Sequence, residues 1–144
     1  MAVRATSTTA GLPGGGGELG VSAIECSVTA ARAAASKKGE RTVVLEMTQL
    51  LGVVDTFVIT SATNVRQVRT IAEEVELQVK QAHGLLPRFV EGRGDLRWLL
   101  MDYGMVVAHI FLEEARDYYD LERLWSDAPR LDWDAAQISL REIR

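Results

Sequence analysis

The chain has one cysteine, Cys26, in 144 residues. No internal disulfide framework is therefore available, which fits a reducing cytoplasm. Two histidines, His83 and His109, with that one cysteine cannot assemble a common structural zinc site, so no metal or other cofactor is expected. No apolar run approaches the length of a membrane span, and residues 1–20 lack the apolar core of a secretory signal. Neither membrane nor export is indicated, and a cytoplasmic location is expected. An excess of basic residues is also missing. The formal net charge is −4, residues 1–112 hold eleven acids and eleven bases, and residues 113–144 hold nine acids against five bases. A nucleic-acid binder ordinarily shows a basic excess, so little direct nucleic-acid contact is expected. The acidic end is suited instead to a basic protein surface. The run Gly14 to Gly17 has no Gly-Lys-Ser/Thr behind it and no strand before it, which excludes a phosphate loop.

What is present suits one domain: 47% hydrophobic and 25% charged residues, in a length that fills a single core. Residues 1–20 read as a disordered extension, 21–129 as the domain and 130–144 as a tail. Ser22-Ala23-Ile24-Glu25 matches a capping box, and Ile24, Val28, Ala31 and Ala35 then share one helical face. Lys37, Lys38 and Gly39 suit the end of that helix. Thr42 to Met47 and Asp55 to Ser61 read as strands, with at most a helical turn between them. Thr63 or Asn64 can cap a long helix whose stripe is Val65, Val68, Ile71, Ala72, Val75, Val79 and Ala82, with Gly84 at its end. His83 is expected to serve that helix end. Arg88 to Val90 is a candidate edge strand. Beyond the last hairpin, Asp120 is a candidate cap for a segment in which Leu121, Leu124 and Trp125 share a face. Trp125 is expected in the core, whereas Tyr119 fits either core or surface. Pro129 marks the expected domain end, and Trp133, Ala136, Leu140 and Ile143 fall at helical spacing. This order predicts an α/β fold: a single-layer mixed sheet of about five strands, with helices mainly on one face.

The most informative stretch is Asp95 to Phe111, DLRWLLMDYGMVVAHIF. Two β-prone runs flank Tyr103-Gly104, which reads as the loop of a hairpin because glycine accepts positive φ. Trp98 would then lie opposite His109, Leu100 opposite Val107 and Asp102 opposite Met105. Alternation puts Leu99, Met101, Val106, Ala108 and Ile110 on one wholly apolar face, the expected core side. The other face carries Trp98, Leu100, Asp102, Met105, Val107, His109 and Phe111. Aromatic and aliphatic side chains studded with a carboxylate and an imidazole resemble the centre of a protein–protein interface. The alternative is a second covered face with His109 as a satisfied core histidine.

The run W-x-L-x-D-Y-G-x-V-V-x-H-x-F, followed by E-E-A-R-x-Y-Y-D-L-E-R-L-W-x-D-A-P, resembles the ribosomal silencing factor (Iojap-like) family. Lys37-Lys38, Val43-Val44-Leu45, Asp55 to Ile59, Arg66-Gln67 and Glu91-Gly92 add to a resemblance covering residues 22 to 129. It implies a nucleotidyltransferase-like fold without enzymatic activity. It also implies docking on the large ribosomal subunit through its ribosomal protein fourteen, which blocks joining of the small subunit and represses translation when nutrients are short. The partner-binding residues expected are Trp98 and Leu100 as apolar anchors, Asp102 and His109 for polar complementarity, Tyr103 at the hairpin tip, and Val107. An exposed apolar face also favours a homodimer.

The rival is a nucleotidyltransferase using carboxylates such as Glu46 and Asp102. Such enzymes place a Gly-Ser pair near paired carboxylates that hold magnesium, but the corresponding region here reads Thr60-Ser61-Ala62-Thr63-Asn64. The one Asp-x-Asp, Asp132-Trp133-Asp134, lies in the tail. Asp102 and His109 could touch as an acid–base pair, and Cys26 with His109 could form a nucleophile pair. Neither has an evident oxyanion donor.

Overall fold

The computed structural model describes residues 22–135; the N-terminal extension and most of the tail lie outside them. Helix α1, Ala23–Ser36, starts where Ser22 Oγ accepts the Glu25 amide at 3.0 Å. Its buried arc matches the expected one in part: Val28 and Ala31 are buried, with Cys26, Ser27, Ala30, Ala33 and Ala34 beside them, whereas Ile24 and Ala35 face solvent. Small side chains let the helix lie close to the sheet and to a second helix at once, which moves the buried arc onto them. The left-handed residue past its end is Lys38, at φ +66°, not Gly39. Gly39 answers a different need, since a Cβ there would overlap Thr60 Oγ1 and the Ala34 carbonyl oxygen.

Strand β1, Glu40–Glu46, is bulged between Glu40 and Val43 and pairs antiparallel with β2, Thr56–Ala62. A single-turn helix, α2 (Thr48–Leu51), fills the connection. The long helix α3, Val65–His83, is capped by Asn64 Oδ1 on the Gln67 amide at 2.8 Å and closed by Gly84 at φ +73°. Of its expected stripe, Val68, Ile71, Ala72, Val75 and Val79 are buried, while Val65 and Ala82 are exposed. Strands β3 (Phe89–Glu91), β4 (Trp98–Asp102) and β5 (Val106–Leu112) follow, then α4 (Glu113–Tyr119), α5 (Leu121–Leu124) and β6 (Arg130–Leu131). The fold is mixed α/β on one six-stranded sheet, in the order β3-β4-β5-β2-β1-β6, with β2 and β5 parallel.

Helices α1 and α3 cover the face of Thr56, Val58, Ala108 and Ile110, where Ser27 Oγ hydrogen-bonds Thr56 Oγ1. They run antiparallel. Gln67 at the start of α3 bonds the backbone of Lys37 and Lys38, and His83 at its end bonds Thr29 Oγ1 at 2.8 Å.

Two local readings change at the C-terminal side. Asp120 makes no side-chain cap; it bends the chain through φ +49° between α4 and α5. Leu121 and Trp125 pack on the core, while Leu124 is 66% exposed. The sheet also continues past Pro129, because β6 pairs with Val44 and Leu45 and the Pro129 carbonyl accepts the Glu46 amide. Trp133 packs there too, donating its indole N–H to the Thr42 carbonyl at 2.9 Å. The rest of the suggested tail helix, Ala136, Leu140 and Ile143, lies outside the described residues.

Candidate interaction surface

The β4–β5 hairpin is one residue further along than its sequence suggests. Tyr103 N–H donates to the Val106 carbonyl at 2.8 Å, so the loop is Gly104-Met105, with Gly104 at φ +93°. Positive φ at the first of two loop residues marks a II′-like turn, a conformation glycine adopts cheaply. Asp102 secures the turn by accepting the Gly104 amide at 2.7 Å. Trp98 therefore faces Phe111, Leu100 faces His109 and Asp102 faces Val107. The pairing moves by two residues, an even number, so every side chain keeps its expected face.

Trp98 is the centre of this face. Its ring stacks on Phe111 at 4.9 Å between centroids, and Tyr119 from α4 closes on it at 4.7 Å. Its indole N–H donates to His109 Nδ1 at 3.0 Å. His109 is 1% exposed and packs edge-on to Phe57 at 4.5 Å. Burial lowers its pKa to about 3, so the ring is neutral. With Nδ1 accepting, the proton resides on Nε2, which has no hydrogen-bond partner within the protein. His109 is thus a core histidine that orients a tryptophan, not an open polar contact.

The remaining expected site residues divide in two. Leu100 is half-buried beside Trp98 and next to Glu91 of β3. Asp102 and Val107 are buried, contrary to the expectation that this face is open along its whole width. Tyr103 is also buried and points to the helix side rather than standing at a free hairpin tip. Desolvation chiefly, then Cys26 and Glu76, push its phenol pKa upward.

Arg116, to which the sequence reading gives no role, ties the chain after β5 to the other end of this face, at Ser61 beside Phe111. It is 1% exposed, and its guanidinium donates to the carbonyls of Glu40 and Arg41, to Ser61 Oγ and, in a fork, to both oxygens of Glu122. One side chain thereby pins the β1 bulge, β2 and α5 together. Pairing with Arg116 works against the desolvation of Glu122 and holds that carboxyl below its ordinary range. The chain after β5 folds over the part of the face that holds Leu45 and Ile59, each 1% exposed. The signal was the Arg-x-x-x-x-x-Glu spacing within the C-terminal motif, which carries no fixed local meaning. A partly exposed apolar strip remains at the β3–β4 edge: Trp98 and Leu100, both half-buried, then Phe89 at 50% and Tyr119 at 46% exposure, with Glu91 beside them. Phe89 and Tyr119 extend the expected set.

The suggested catalytic pairs come apart. Glu46 shares a face with Thr56 and Asp102 shares one with Val107, so the two carboxylates lie on opposite faces, with β2 and β5 between their strands. Asp102 is bonded to the turn and His109 to Trp98, so they form no acid–base pair. Cys26 lies under the helices, where burial pushes its thiol up to about 12, well away from His109.

A mixed α/β domain with an ordered aromatic strip at one sheet edge has the make-up of a binding protein. Comparison with known proteins makes this specific. The sequence model described as "Ribosomal silencing factor during starvation" matches residues 21–143. The ribosomal silencing factor of Bacillus subtilis is 39% identical over 105 residues, 73% of this chain and 88% of that protein. The mouse protein named "Mitochondrial assembly of ribosomal large subunit protein 1" is 34% identical over 74 residues, 50% of this chain and 32% of its own length. A crystal structure of a Chromobacterium violaceum protein superposes with a TM-score of 0.70 at 32% identity, covering 74% of this chain and 88% of that one. The chain belongs to the ribosomal silencing factor family. Membership places it among ribosome-associated regulators of translation. Among the described residues, no helix is long and apolar enough to cross a membrane.

Proposed function

We propose that the protein docks on the large ribosomal subunit, against its ribosomal protein fourteen, and represses translation by occupying a surface the small subunit needs. No bond is made or broken, so the protein need only present a rigid, complementary patch. The observation that carries this reading is the preparation of Trp98. Its ring is stacked and its N–H is already satisfied by His109, so docking has neither a rotamer to freeze nor a donor to desolvate. Trp98, Leu100, Phe89 and Tyr119 make the contact, and Glu91 supplies an acid toward a basic partner. Asp102, Tyr103, Val107 and His109 act beneath them as the support of the hairpin. The family name and the mouse relative's name both point to the ribosome, and the latter to its large subunit.

Co-sedimentation with purified large subunits tests this. The wild-type protein is expected in the subunit fraction, to reduce joining of added small subunits, and to lose both effects in Trp98→Ala. Undiminished binding by a folded Trp98→Ala protein refutes the assigned surface. A homodimer would use the same strip, so subunit binding and self-association are expected to compete.

A further inference from the structure

Two of the short matches that supported the family resemblance, Lys37-Lys38 and Arg66-Gln67, play no part in the docking strip. The fold joins them. Gln67 Nε2 donates to the carbonyls of Lys37 at 3.1 Å and Lys38 at 3.0 Å, while its Oε1 accepts the Thr63 amide at 2.9 Å. The amide thus clamps the end of α1 against the start of α3. Lys37, Lys38 and Arg66 are exposed around it, with Arg69 one turn further along α3 and also exposed. Among the described residues, none of these four cations forms an ion pair; the bases that do are Arg41, Arg97, Arg116 and Arg130.

Helix-end electrostatics account for only half of the cluster. Lys37 and Lys38 follow the C-terminus of α1, where cations are favoured, and their carbonyls are taken by Gln67. Arg66 and Arg69 stand at the wrong end of α3: its first turn contains no acid, and cations near a helix N-terminus oppose the macrodipole. A local preference broken twice, beside two further unpaired cations, is the pattern of a surface kept for a partner. The nearest acids in sequence make no ion pair with them: Glu40 and Glu73, the latter one helical turn from Arg69, take part in none among the described residues. Ser36, Thr63 and Asn64 are exposed among the four cations but spend donors on the Ala33 carbonyl, Gln67 Oε1 and Thr63 Oγ1, which leaves the four cations as the groups that meet phosphate oxygens. The balanced charge count over residues 1–112 concealed this local segregation.

We infer that Lys37, Lys38, Arg66 and Arg69 form a binding surface for the phosphodiester backbone of RNA. It gives the docked protein a second hold, on ribosomal RNA, apart from the protein contact made by the aromatic strip. The setting on the ribosome rests on the function proposed above; the RNA contact is tested separately. The cations read charge and spacing rather than base sequence.

The test uses the full chain and a variant in which Lys37, Lys38, Arg66 and Arg69 are all changed to Gln, with folding checked by circular dichroism. Fluorescence anisotropy of a labelled RNA duplex of about 16 bp is recorded over a salt series. The wild type is expected to bind at low salt with steep salt dependence, and the variant about tenfold or more weaker with a flatter slope. Trp98→Ala is expected to match the wild type on RNA. Equal binding by wild type and variant, or none by either, overturns the inference. So does a loss confined to anionic vesicles or an acidic peptide. Co-sedimentation separates the two readings. If Trp98→Ala still binds subunits while the RNA difference stands, the docking strip is wrong and the RNA surface survives. If Trp98→Ala fails on subunits and RNA binding is absent, the reverse holds.

Discussion

The neutral, buried state of His109 makes the stability of this protein depend on pH in a direction that can be worked out. The free imidazole titrates at 6.5 and the folded one at about 3, with desolvation as the cause. Below pH 6.5 the unfolded chain takes up a proton that the folded protein refuses, so acid favours unfolding. The contribution is fully present above 6.5, declines as pH falls, and levels off near 3, where the folded ring also protonates. The slope approaches about 1.4 kcal/mol per pH unit once pH is well below 6.5, so lowering pH from 6.5 to 4.5 removes about 2 kcal/mol. Protonation also turns Nδ1 from acceptor to donor, setting two N–H groups against each other at the 3.0 Å contact with Trp98. Urea melts of the wild type and His109→Asn at several pH values measure this. Asparagine does not titrate and carries an amide oxygen near the place of Nδ1, so its packing cost is constant with pH and cancels in the slope. The stability difference between the two proteins is expected to narrow as pH falls from 6.5 to 4.5, following the stated slope. Parallel stability curves across that range would refute both the buried neutral state and its assigned cause.

Leu99, 2% exposed on the helix side, is the counterpart of Trp98. Leu99→Ala should cost about 2–5 kcal/mol in a denaturant melt, while the folded fraction binds large subunits normally. Trp98→Ala should instead weaken subunit binding by about 2 kcal/mol or more; inverted results would mean the faces are exchanged. Arg116→Met should lower stability by about 3–5 kcal/mol, because it strands the partly buried Glu122 and frees the β1 bulge. Amide exchange should show Glu40 to Thr42 losing protection first. Gly39→Ala should lower the melting temperature by the equivalent of about 1–3 kcal/mol, the usual cost of overpacking, since its Cβ meets Thr60 Oγ1. A neutral result there would show that α1 can shift away from β2.

The elements that rest on local chemistry were legible in the sequence. The Ser22 and Asn64 caps, the end of α3 at Gly84 and the core stripe from Val68 to Val79 each depend on contacts within about one helical turn. The division of the hairpin into two faces survived a misplaced loop because strand periodicity is two and the error shifted the pairing by two. The membership of the Trp98 face was therefore determined by sequence alone. Its exposure was not. Whether His109 meets solvent depends on Phe57 from the neighbouring strand and on Tyr119 reaching back over Trp98, and no periodicity records such distant contacts. Gly39 shows the same division: its position suggested a helix cap, but the close approach of β2 is what demands it. Arg116 and Gln67 carry this furthest. Each looked like an ordinary polar residue on a helix, and each acquires its role from carbonyls brought alongside by the fold, up to 76 positions away for Arg116 and 30 for Gln67. Hydrogen-bond partners so distant in sequence are selected by how the layers pack, so only the tertiary structure could decide which part of the sheet is covered and which stays exposed.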